Sequence, residues 1–164
     1  MKRTLIVGVM LLVASTAFAQ SGNGVKNFGG EVGLGYINKG AYVTGSLGYR
    51  FVPGLYTGLG TGVEFTNDWV HNSVNDKSTV LVPVYAQVKY SFLKGDIKPF
   101  VDVKLGLISD LSDHGTGKFI WPSIGVSYKQ FGASLGYEWW DSAYSNDNMR
   151  YNNQFISFGV SYSF

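Results

Sequence analysis

The sequence predicts an all-β protein, an eight-stranded antiparallel transmembrane β-barrel. Three observations predict it. Apolar residues recur at every second position in eight separate segments. The connections between those segments alternate between short turns and longer polar loops. Only 15% of the 164 residues are charged, against 16% aromatic residues and 22 Gly, where an average soluble domain has about a quarter of its residues charged. The 45% hydrophobic content excludes a disordered chain. The absence of Cys excludes a disulfide framework, thiolate metal sites, a Cys nucleophile and a lipid-modified N-terminal Cys.

Residues 1–19 read as a signal peptide. Lys2 and Arg3 form a positive start, Leu5 to Val13 an apolar run, and Ala17-Phe18-Ala19 a small-x-small cleavage site. The run is far shorter than the roughly 18–20 residues that span a bilayer as a helix. Cleavage near Ala19 leaves residues 20–164 as the barrel domain, with 11 basic side chains against 11 acidic ones, because Lys2 and Arg3 leave with the leader. No Lys/Arg cluster remains to track phosphates, so no nucleic-acid partner is expected.

Each strand follows from period-two alternation. In 28–37, Val32, Leu34 and Tyr36 oppose Glu31, Gly33 and Gly35; in 41–51, Val43, Leu47, Tyr49 and Phe51 oppose Ser46, Gly48 and Arg50. Segment 55–65 sets Leu55, Leu59, Val63 and Phe65 against Gly58, Gly60, Gly62 and Glu64. Segment 79–92 runs Val80, Val82, Val84, Ala86, Val88, Tyr90 and Phe92 against Gln87, Lys89 and Ser91. In 99–108, Val101, Val103, Leu105 and Leu107 oppose Asp102, Lys104 and Gly106. The pattern returns in 118–128 (Ile120, Ile124, Val126, Tyr128), in 131–140 (Phe131, Ala133, Leu135, Tyr137, Trp139) and in 154–164 (Ile156, Phe158, Val160, Tyr162, Phe164).

The links at 52–54, 93–98 and 129–130 are short, as is Asn38-Lys39-Gly40. Those at 66–78, 109–117 and 141–153 are longer and rich in Asn, Asp and Ser. Short turns at one end and long polar loops at the other describe a barrel that crosses an outer membrane. Eight strands of about 9–11 residues fit comfortably into the mature chain. Closure leaves no edge for lipid to meet. Two aromatic girdles are expected. One comprises Tyr49, Phe51, Tyr90, Phe92, Phe100, Tyr128, Phe131, Tyr162 and Phe164 at the short turns. The other comprises Tyr36, Tyr42, Phe65, Trp69, Phe119, Trp121, Trp139 and Trp140 at the long loops. Pro83 and Pro122 each remove a ladder donor and are expected at bulges near the rim.

The second face of the strands carries both Gly and full charges, as expected of a narrow interior in which some positions are small to admit long neighbours. Pairing around the 93–98 turn sets Lys89 opposite Asp102 and Gln87 opposite Lys104; a looser register across 38–40 brings Glu31 near Arg50. Unpaired charges in a narrow lumen are costly. These six residues are therefore expected to form a salt-bridged plug rather than an ion gate, since eight strands leave little room for a channel.

The leader, the eight alternating segments and the terminal Tyr162-Ser163-Phe164 resemble the small outer-membrane barrels of the OmpA/OmpX-like class of Gram-negative bacteria. The resemblance implies an outer-membrane location with loops outside and turns in the periplasm, contact with outer-membrane lipid and lipopolysaccharide, and recognition of Tyr162 and Phe164 by the barrel-assembly machinery. It does not imply one function, because one fold hosts several.

The long loops hold Trp69, Tyr144, Met149 and Tyr151 among polar neighbours, which suit contact with an external protein or surface ligand. His71-Asn72-Ser73 has the look of a lipid A deacylase site but no acidic partner at a matching strand position, and His114 lies beside Asp110, Ser112 and Asp113 in a polar loop. Asp68, Asp76, Asp141 and Asp147 have no fixed-spacing calcium pattern. Glu64 and Glu138, on non-neighbouring strands, carry no further mark of a paired-carboxylate hydrolase. The expectation is a protein without catalytic activity, cofactor or metal, serving envelope structure, adhesion or partner binding. A narrow pore, a lipid A-modifying enzyme and a soluble lipocalin-like barrel are the alternatives.

Overall fold

The computed structural model describes residues 27–37, 40–67, 78–111, 116–143 and 150–164. The leader and its cleavage site therefore lie outside the described residues, as do Trp69, His71, His114, Tyr144 and Met149. Eight strands follow in order: β1 (Phe28–Ile37), β2 (Gly40–Val52), β3 (Leu55–Asn67), β4 (Ser78–Ser91), β5 (Ile97–Asp110), β6 (Thr116–Tyr128), β7 (Phe131–Ala143) and β8 (Arg150–Ser163). Each pairs antiparallel with the next, and β1 closes on β8.

The strands are staggered. From Ile37 the paired residues run through Ser157, Gly136, Ser123, Asp102, Lys89, Tyr56 and Arg50. The Arg50 amide then bonds to Asn27 O, ten residues below the starting point on the first strand. Such a stagger tilts the strands and sets how wide the interior is. It also brings side chains from strands that never pair to the same height in the lumen.

The outward parity is apolar. Leu59 is 73% exposed, and Leu34, Val84, Leu107, Ile124, Leu135 and Phe158 form a band of exposed side chains around the wall. A contiguous apolar belt of this extent is covered by lipid in a transmembrane barrel. At the turn end, ring pairs Tyr49–Phe51, Tyr90–Phe92 and Phe131–Tyr162 lie with centroids 5.0, 5.1 and 5.3 Å apart.

The girdle expectation needs correction at five positions. Tyr42, Phe100, Phe119, Trp121 and Trp140 are buried, on the inward parity. They fit because the wall beneath them is glycine. Tyr42 of β2 lies over Gly35 of β1 and reaches β8, where a Cβ on Gly159 would stand 1.9 Å from its hydroxyl. Tyr85 of β4 crosses Gly60 of β3, and its hydroxyl donates to Gly45 O of β2 at 3.3 Å. Trp121 of β6 crosses Gly136 of β7 and donates from Nε1 to Ser157 Oγ of β8 at 2.9 Å. The glycines make room for rings laid along the wall, as well as for charges.

The prolines do not sit at bulges. Register is unchanged on either side of both, and a register shift occurs instead in β2, between Arg50 and Val52. Pro83 keeps its β5 partner Ile108, while the β3–β4 ladder is interrupted between Thr61↔Val84 and Glu64↔Leu81. Pro122 keeps Val103 of β5, and the β6–β7 ladder is interrupted between Ile120↔Trp139 and Ser123↔Gly136. A strand residue directs its N–H toward one neighbour only, so a proline interrupts one ladder and spares the other. Next to Pro83, Thr61 Oγ1 donates to the proline's own carbonyl at 2.8 Å.

Candidate functional site: the barrel lumen

The lumen has three levels between the turns and the loops. At the turn end a vestibule of about 450 Å³ opens between the rim and the Glu31–Lys89 pair. Above it lies a band of paired polar groups, and above that an apolar and aromatic plug.

The band is built from β1, β4, β5 and β8. Lys89 Nζ forms a salt bridge with Glu31, which also accepts from Gln87 Nε2 at 3.3 Å and from Ser163 Oγ at 3.1 Å. The same Gln87 nitrogen donates to Asp102 Oδ1 at 3.0 Å, and Lys104 Nζ completes Asp102 at 2.9 Å. Both ammonium groups face rings: Lys89 stands 4.0 Å from the Phe100 centroid and Lys104 4.7 Å from that of Trp121. Such contacts add to a charge held away from water.

The hairpin register is as the sequence implies, with Lys89 opposite Asp102 and Gln87 opposite Lys104. The ionic partners are different. Lys89 crosses the lumen to Glu31, and Lys104 turns to Asp102 on its own strand. The expected Glu31–Arg50 pairing is not made: β1 and β2 set Glu31 opposite Ser46, four residues from Arg50. Arg50 instead donates from Nη2 to Phe164 O at 3.2 Å and lies 6.0 Å from the Tyr56 ring.

The plug comprises Ile37, Tyr42, Leu81, Tyr85, Ile108, Phe119, Trp121, Trp140 and Phe155. Tyr42 meets Trp121 edge-on at 4.8 Å, and Trp140 stacks on Phe155 at 6.1 Å. Within this level are two residues that sequence reasoning set aside. Glu64 and Glu138 are 1% and 0% exposed, and none of their four carboxylate oxygens has a hydrogen-bond partner among the described residues. The two groups lie within electrostatic reach of each other and of Lys104. Their parity was the available signal, since Glu64 continues the Gly58, Gly60, Gly62 series and Glu138 the Ser134, Gly136 series. Among the described residues no three His, Cys, Asp or Glu are grouped so as to hold a metal ion.

At the seam, Phe164 exchanges backbone hydrogen bonds with Gly30 at 3.1 and 3.0 Å, and its ring lies against Gly30. Tyr162 packs on Phe131 and donates to Gln130 Oε1 at 3.2 Å. Tyr162 and Phe164 thus occupy the turn-side rim. Tyr151 pairs through its backbone with Ser142.

No family model and no curated protein matches the sequence. Among solved structures, that of Neisserial surface protein A is similar, with a TM-score of 0.57 at 18% identity, over 87% of this chain and 100% of that one. The chain has the fold of the small eight-stranded outer-membrane barrels. The N-terminal β-barrel domain of Pseudomonas aeruginosa OprF gives a TM-score of 0.49 at 15% identity, over 87% of this chain and 100% of that one. The outer membrane enzyme PagL gives 0.49 at 13%, over 82% and 97%.

Proposed function

We propose that this barrel is an integral outer-membrane protein without catalytic activity, exported with cleavage of the leader near Ala19. Its wall is a closed scaffold that carries loops 66–78, 109–117 and 141–153 outside the cell for envelope structure, adhesion or binding of an external partner. Tyr162 and Phe164, at the closing seam, are the residues offered to the assembly machinery, and the apolar belt meets outer-membrane lipid and lipopolysaccharide. The observation that carries the scaffold reading is the plug: Ile37, Leu81, Ile108, Trp140 and Phe155 are all buried at the loop end of the lumen. Side chains gathered there occupy the little interior space that an eight-stranded barrel has for a channel.

One observation favours a second reading, a narrow pore. Polar groups continue from Lys89 through Gln87 and Lys104 toward Glu64 and Glu138. Planar-bilayer recordings of the refolded barrel decide between them. The scaffold gives no resolvable steady conductance; discrete steps that change with Glu138→Gln establish the pore instead. Catalysis is tested separately. Lipid A mass spectra are expected to be unchanged on expression and unchanged again with His71→Ala.

A further inference from the structure

The vestibule at the turn end has a charge that neither function reading uses. Five basic residues line it: Arg50, Lys89, Lys94, Lys98 and Lys129, facing a single acid, Glu31. Lys89 and Glu31 neutralise one another at its roof. Lys94, Lys98 and Lys129 have no ion-pair partner among the described residues, and Arg50 donates to Phe164 O. Asp96 sits in the same turn but does not line the cavity; its carbonyl accepts the Lys129 amide at 2.9 Å. Three lysine ammonium groups without an ion pair among the described residues therefore gather around one concavity, with the Arg50 guanidinium beside them on Phe164 O, in a mature chain whose basic and acidic residues balance.

We infer that this vestibule is a binding pocket for a small molecule or headgroup bearing more than one phosphate-type negative charge. Its volume lies within the range of about 300–1,000 Å³ typical of small-molecule sites and is far larger than one phosphate needs. The cationic set combines a guanidinium fork, which meets phosphate oxygens two at a time, with three mobile ammonium point charges. The Ser91 hydroxyl stands among them as a further donor, beside the Tyr56 hydroxyl that shares a hydrogen bond with Ser46 Oγ. A low-dielectric wall on one side concentrates the field of these charges into the cavity. The roof is closed by Glu31, so an anion enters from the turn side and stops at the vestibule. It does not pass through.

Two sources supply this chemistry: a free phosphorylated compound in the compartment that the turns face, or the headgroup of a phospholipid at the rim. The experiment uses the full mature barrel refolded in phosphatidylcholine nanodiscs and titrated with tripolyphosphate by calorimetry. A second arm incorporates cardiolipin, whose headgroup carries two phosphates, and counts retained lipid by native mass spectrometry. Saturable tripolyphosphate binding identifies a soluble ligand; retention of cardiolipin without tripolyphosphate binding identifies the lipid. In either case the triple variant Lys94→Gln, Lys98→Gln, Lys129→Gln is expected to weaken binding at least tenfold with an unchanged urea midpoint. Lys118→Gln, near the loop end, is expected to leave binding intact. Absence of binding in both arms overturns the proposal, as does binding that the triple variant leaves unaltered or that Lys118→Gln weakens equally.

Discussion

On the turn side of the lumen the carboxylates and ammonium groups meet partners: Lys89 meets Glu31, Lys104 meets Asp102, and Gln87 bridges the two acids. On the loop side Glu64 and Glu138 are more deeply buried and meet none among the described residues. The same wall, of the same strands, thus holds polar groups in two ways. Below, hydrogen-bonded ion pairs offset desolvation; above, ring packing encloses two acids that feel Lys104 only at a distance and have no hydrogen-bond partner among the described residues. A buried pair is weak evidence of net stabilisation over an apolar filling, but breaking it leaves an orphan charge. The two halves should therefore respond oppositely to removal of an acid.

The largest expected effect is on the paired side. Glu31→Ala strands Lys89 and should lower the unfolding free energy by about 3–5 kcal/mol, read as a shifted urea midpoint in reversible folding into detergent or lipid. An unchanged midpoint would mean that water enters the vestibule far enough to solvate Lys89. On the unpaired side, Glu138→Met should raise stability by about 1–3 kcal/mol, because a polar group without a partner is replaced by one that needs none. A loss of stability would place a hidden partner at Glu138 and erase the contrast. Packing around these acids is probed by Gly159→Ala, which drives a methyl into the Tyr42 hydroxyl and should cost about 1–3 kcal/mol. Tyr42→Phe should recover part of that loss in a double-mutant cycle. Additivity would show that ring and glycine do not touch. The smallest effect lies at the vestibule rim. Lys129, in the two-residue turn between β6 and β7, has φ of 53°. Lys129→Gly should relieve a left-handed conformation and add about 0.5 kcal/mol, additively with the Glu31 and Glu138 variants.

The local geometry was legible in the sequence. Period-two alternation located all eight strands, and the 93–98 turn set Lys89 against Asp102 and Gln87 against Lys104, because hairpin register depends only on the turn. Which charges actually pair was not legible. Lys89 reaches Glu31 through the ten-residue stagger of the closed sheet, and closure is not written in any one hairpin. The Glu31–Arg50 expectation failed at that level of detail: a tighter β1–β2 register moved Arg50 down to Asn27 and Phe164. The interior rings were missed for another reason. Phe100 shares parity with Asp102 and Lys104, and Trp121 with Ser123, but an aromatic residue near a strand end looks like a girdle residue. Only the glycines on adjacent strands distinguish the two placements, and their relevance depends on knowing which strands adjoin.

Hydrogen bonds in a sheet tie each strand to its immediate neighbours. Tyr42, Tyr85 and Trp121 act across a wider span, because each crosses one strand to touch the next but one. A strand that slipped by two residues would keep its apolar face outward and recover most of its ladder, so alternation alone tolerates that error. The rings do not tolerate it. Slippage would set side chains where Gly60, Gly136 or Gly159 now gives way, and three ring contacts would reject a misaligned barrel that hydrophobic pattern and backbone bonding both accept. The cross-braces thus check alignment as the cylinder closes.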